Sequence, residues 1–187
     1  MSYAEAEHDR MIAALVKQCY VVAVDLTASP PAVRVSDGEW VSAWVRWHSQ
    51  AAGKARHWRA PSLGEQGILF SPSGQAADGT FVPGLYGNAG APADNRDHVE
   101  VWRFDDGGSL IYDWAAKTYT ITLPTGTVLV KVGGSTFSVT DNAINGEAGQ
   151  INLKGVVNID GPLNTTGDIF SAGKIIDTAG NTPNHKH

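Results

Sequence analysis

A single cysteine, Cys19, is the only thiol in the chain. That excludes a disulfide within one chain, and with it the stapled frameworks of small secreted domains. Charge is scarce too: charged residues make up 18% of the sequence and the net charge is −5. Three copies together would carry about −15, the wrong sign for a general binder of nucleic acid or of anionic membranes. No apolar run approaches the roughly 20 residues a membrane helix needs. Residues 1–10 are polar and acidic, so no signal peptide is expected, and synthesis in the cytosol is expected. Also missing are a Walker loop, a Gly-x-Ser-x-Gly elbow, a zincin helix and zinc-finger cysteines. No enzyme is expected.

What the chain has in quantity is glycine, 21 residues in 187, which suits a turn-rich all-β chain. Five of them, Gly149, Gly155, Gly161, Gly167 and Gly173, recur at a strict period of six. Two residues after each stands an aliphatic: Ile151, Val157, Leu163, Ile169 and Ile175. Side chains alternate along a strand, so an even period keeps all five on one face. The other face carries Gln150, Asn152, Lys154, Asn158, Asp160, Asn164, Asp168 and Lys174. A single-chain hexapeptide β-helix needs about three hexads per coil and several stacked coils, more than this run supplies. Three copies wound about one axis would bring the aliphatic faces together and pair the strand edges between chains. The repeat therefore predicts an intertwined trimer.

Upstream, Ala4, His8, Met11, Ile12 and Leu15 share a helical face, predicting a short helix over 4–16 that packs on its neighbour. Residues 20–24, 32–35, 40–44, 67–70 and 80–82 read as strands divided by Pro30-Pro31 and Asp37-Gly38 turns. Five short strands in about 70 residues suggest a small barrel of the OB kind. The small, polar stretch Asn88–Asp94 reads as a linker. Beyond it, Leu110, Tyr112 and Trp114, then Tyr119, Ile121 and Leu123, then Val128, Val130 and Val132, then Phe137 and Val139 alternate with polar residues, leaving no room for a helix. The expected division is a helix over 1–17, an OB-fold domain over 18–87, a linker over 88–94, a trimeric β-helix over 95–180 and a tip over 181–187.

Val24-Asp-Leu26, Arg34-Val35, Trp44-Val-Arg-Trp47, Ala52-Gly53, Arg56, Trp58, Ala60-Pro-Ser-Leu-Gly-Glu-Gln66, Phe81-Val82 and Pro83-Gly-Leu-Tyr86 resemble the phage baseplate assembly protein V family. Its members are the central spikes of contractile tails and of R-type pyocins. The resemblance covers residues 15–90 by motif and the rest by architecture. It implies an all-β chain, with a short N-terminal helix and an OB-fold domain followed by an intertwined trimeric β-helix closed by a metal at its tip. His185-Lys186-His187 matches the family's His-x-His end. The implied role is mechanical: a needle at the virion or tailocin baseplate tip that contacts tail hub proteins through its OB domain and breaches the bacterial outer membrane.

On a strand, His185 and His187 point the same way, and three-fold symmetry turns two imidazoles into six nitrogen donors. Six ligands are unnatural for structural zinc and suit octahedral iron(II), so one Fe(II) per trimer is expected at His185 and His187, in a structural role. Calcium or chloride on the three-fold axis is compatible with the same architecture.

Other readings are weaker. Trp44, Trp47, His48, Lys54, Arg56, His57, Trp58 and Arg59 form a basic-aromatic patch of the kind that stacks single-stranded bases, but the acidic balance disfavours nucleic acid as a partner. Asp105, Asp106 and Asp113 could be paired acids, though turn solvation explains the first two better. A hexapeptide-repeat acyltransferase needs large aliphatics before its glycines. Here those positions hold Ala148, Lys154, Asp160, Thr166 and Ala172.

Overall fold

A computed structural model describes residues 2–176. Helix α1 (Tyr3–Ala14) starts on a capping box: Ser2 Oγ accepts from the Glu5 N–H at 3.2 Å, and the Glu5 carboxylate accepts from the Ser2 N–H at 2.6 Å. Such reciprocal bonds satisfy backbone donors that the first turn leaves open. The helix lies against a 3-10 turn at Pro72–Gly74, where Gly74 takes φ +70° and a β-carbon would come within 2.7 Å of the Met11 backbone. Only glycine permits both that approach and that dihedral.

Strands β1 (Val16–Asp25), β2 (Ala32–Ser36), β3 (Arg46–Trp47), β4 (Gln66–Phe70) and β5 (Thr80–Leu85) form one sheet in the order β2-β1-β4-β5-β3. All pairs are antiparallel except β3 with β5. An antiparallel bridge from Val33 to Val45 returns the far edge to β2, so the strands run in a nearly closed circuit, a small OB barrel. Alternation sends Cys19, Val21, Val33, Val35, Leu69 and Phe81 inward, where with Val45 they make the buried core. Gly67 is required at the tightest point. A β-carbon there would fall against the Val82 carbonyl and within 2.6 Å of the Phe81 ring.

The strand expected over residues 40–44 does not form. Val41 and Val45 touch β2 only through isolated bridges, to Ser36 and Val33. Between them the buried Ser42 stands in for the ladder. Its N–H donates to the Val35 carbonyl at 2.8 Å, and its hydroxyl accepts from the Val35 N–H at 2.9 Å. A side chain has taken a backbone acceptor's place, which interrupts regular pairing.

Strands β6 (Val99–Arg103), β7 (Ser109–Asp113) and β8 (Thr118–Thr122) form an antiparallel meander, as do β9 (Val128–Val132), β10 (Ser135–Val139) and β11 (Ile144–Glu147). The chain divides into two compact units, Met1–Pro124 and Thr125–His187. The first takes in the barrel, the segment 88–94 and the β6–β8 sheet. In it Arg96 pairs with Asp94 at 2.8 Å and with Asp113 at 3.2 Å, tying the segment after the barrel to the end of β7.

Candidate functional site

The second unit presents apolar surface that no described residue of the chain covers. Register places Val128, Val130, Val132, Phe137, Val139 and Ile144 on one face of the β9–β11 sheet, and Leu129, Lys131, Thr136, Ser138, Asn145 and Glu147 on the other. A three-stranded sheet with one apolar face normally buries it against another layer. Here Val132 is 76% and Ile144 70% exposed. Apolar surface displayed on this scale marks an association surface.

The glycine hexads continue it. The chain bends at or beside Gly155, Gly161, Gly167 and Gly173 and forms no helix or strand between the bends. Gly155 and Gly161 adopt almost the same dihedral, φ +139° and +138°, a region side chains rarely enter. The sequence repeat is therefore also a conformational one: five-residue legs joined at glycine corners. From Gly149 to Ile176 no backbone group is bonded to another described backbone group. Ile151, Val157, Leu163, Ile169 and Ile175 are all more than half exposed. Unpaired backbone beside a row of aliphatics is an unfinished sheet. Each such side chain would gain about 2 kcal/mol on burial.

A third surface lies in the first unit. Trp102, Leu110, Tyr112, Tyr119 and Ile121 share one face of the β6–β8 sheet by register, with the Tyr112 and Tyr119 rings 6.2 Å apart. Strand β6 was not expected from the sequence, although His98-Val-Glu-Val-Trp102 carries the alternation that signals it. Strand β11 was also missed, because Asn145 and Gly146 dilute its pattern.

Some of the barrel's basic-aromatic residues pack within the unit, while Trp58 stays 64% exposed. Trp47 is half-buried with its ring 5.6 Å from that of Trp58, and His57 packs edge-on against Trp102 at 6.4 Å. Arg59 grips Glu65 with two bonds, at 3.0 and 2.5 Å. Burial pushes the Glu65 carboxyl up, but the Arg59 fork and the Ser62 N–H together outweigh it and hold the group below its usual range. Arg56 donates to the Gly53 carbonyl. Trp44, His48 and Lys54 stay exposed.

The acids resolve into turn chemistry. Asp106 accepts from the Gly108 N–H at 2.9 Å. Asp113 accepts from Ala115 and Ala116 at 3.0 and 2.9 Å, and the Ala116 bond leads the causes that hold its carboxyl below the usual value. Asp105 makes no such bond and is exposed. Among the described residues no group of three or more His, Cys, Asp or Glu is placed to hold a metal ion. His185 and His187, where the metal is expected, lie outside the described residues.

The geometry thus defines a class: a small OB barrel followed by narrow sheets whose apolar faces and strand edges await further chains. Residues 17–86 match the model of the type VI secretion system/phage-baseplate injector OB domain, and residues 100–171 match the beta helical trimerization domain of Gp138. The two matches agree with the resemblance read from the sequence and with an all-β chain of an OB barrel followed by a β-helical trimerization domain. It is also 29% identical over 113 residues to the spike protein of Escherichia phage P2, an alignment covering 60% of this chain and 52% of that protein. The chain therefore spans about half the length of this relative.

Proposed function

We propose that the chain is the subunit of a homotrimeric spike at the tip of a contractile tail, of a phage or an R-type pyocin, and that the spike punctures the bacterial outer membrane. One observation carries this reading: among the described residues, the glycine-cornered legs leave both their backbone edges and their aliphatic row unpartnered. Three such chains satisfy both at once, in a prism whose faces are built of strands from every chain. A narrow rod with paired edges resists bending and compression, as a puncturing tip must. The OB barrel would sit at the tail end, seated on hub and baseplate proteins. The domains matched are those of structural spike proteins, which supports a mechanical role for this chain.

The same reading assigns His185 and His187 to an iron(II) ion at the tip. Six imidazoles from three chains supply a donor set of the number and softness that octahedral iron(II) favours. Vesicle leakage tests the puncture: trimer attached to a contracting tail should release dye from outer-membrane vesicles, and tails assembled without this chain should not. Equal leakage from both would overturn the piercing role.

A further inference from the structure

The glycine-cornered legs expose polar columns that repeat with the same period as the aliphatic row, and these columns say which leg of one chain lies beside which leg of the next. Counting from the first three of the five glycines, the outward position three residues on holds Asn152, then Asn158, then Asn164, while the last two hexads place Phe170 and Ile176 there. Five residues on, Lys154 is followed by Asp160. Both charged side chains are exposed, and neither forms an ion pair with a described residue.

Within one chain these two cannot meet. They are separated by a whole leg and the corner at Gly155, and successive legs of one chain lie on different faces of a three-sided prism. When three chains wind together, each corner carries a chain to the next face. The strand added above a given leg then belongs to a neighbouring chain and comes from its following hexad. Residue k of one chain is therefore beside residue k+6 of another, one strand spacing away, about 4.8 Å. A chain meets its own face again only after three corners.

We propose that the hexad run binds a second copy of this chain in a six-residue offset register, with Lys154 of one chain paired to Asp160 of its neighbour and Asn152, Asn158 and Asn164 stacked as a side-chain amide ladder. The proposal rests on the trimer reading above. Complementarity selects the offset. At k+6 glycine falls on glycine, Ile151 on Val157 on Leu163, Asn on Asn, and Lys on Asp. A slip of one residue would turn the aliphatic row to solvent. Asn columns of this kind bond amide to amide along a stack, and an opposite-charge pair directly across adjacent strands is favourable where a like-charge pair is not. The outer columns set the register between chains, while the aliphatic row supplies the burial.

Cross-linking tests it directly. In the Lys154→Cys, Asp160→Cys double variant of the full chain, the offset places the two thiols within disulfide reach on adjacent strands, since bridged Cα atoms lie about 4.4–6.8 Å apart. Mild oxidation should give a covalent three-chain species on boiling in detergent without reductant. The Lys154→Cys, Thr166→Cys pair, offset by two rungs, should not. A charge exchange supplies the second reading. Lys154→Asp and Asp160→Lys each create three like-charge pairs per trimer and should speed unfolding in urea several-fold. The double reversal should restore the wild-type rate, and 1 M salt, with a Debye length of about 3 Å, should flatten the differences. Wild-type chain that runs as a monomer would remove the trimer reading itself. A trimer that links through 154 and 166 but not through 154 and 160, or that gains nothing from the double reversal, would overturn the register alone.

Discussion

Single residues carry the barrel's stability, and Glu65 shows how. Its carboxylate is mostly covered, accepts two bonds from Arg59 and one from the Ser62 N–H at 2.9 Å, and sits below its usual pKa. A depressed folded-state value means that its contribution is complete above the unfolded value, about 4.3, and is lost as pH falls through the lower folded value. Because Arg59 is half exposed, screening limits the pair to about 1 kcal/mol. The urea midpoint of the barrel should therefore fall on acidification below about pH 4.3, and Glu65→Gln should flatten that fall. An equally steep acid limb in the variant would assign it to other carboxylates. Gly67 is a sharper case: Gly67→Ala forces a methyl against Val82 and Phe81 and should cost about 3 kcal/mol by overpacking, read as a lower urea midpoint.

At the scale of elements, the corner glycines and the aliphatic row make separable predictions. Gly155 sits at φ +139°, so Gly155→Ala strains each of three corners by about 1–2 kcal/mol. The trimer should still assemble and unfold faster in urea; an unchanged unfolding rate would show the corner to be unstrained. Ile169→Asp should block assembly outright, because three carboxylates would be buried about the axis. Normal trimers of that variant would put Ile169 on the outside. The hexad repeat reappears as bends at its glycines, and the barrel strands at 20–24, 32–35, 67–70 and 80–82 were legible because period-two alternation reports directly on which face is covered. The strand expected over 40–44 was not, since Ser42 replaces a ladder bond with its hydroxyl, and alternation carries no trace of that. The coupling of Arg96 to Asp94 and Asp113 was equally hidden, as it depends on three-dimensional closure and not on spacing. The apolar face of β9–β11 was half visible, through Val128, Val130, Val132, Phe137 and Val139. Ile144 joins it only by pairing.

For the molecule as a whole, the matches to an injector OB domain and to a trimerization domain lie in one chain, and in the proposed trimer folding and association are a single event. Intertwined chains must separate together, so the assembly should unfold slowly and resist heat and detergent. The tip adds an independent prediction. His185→Ala, His187→Ala should lose about one-third of an iron per chain, the share left to each chain when six imidazoles hold one ion, while the trimer persists on the hexads. Elemental analysis of both proteins, purified without a tag, checks it, and metal-free wild-type protein would remove the site. The measurement that bears most directly on the central claim is the solution mass of the chain by light scattering at micromolar concentration. The account predicts three times the 19.8 kDa of one chain, unchanged on dilution; a monomer mass would contradict it.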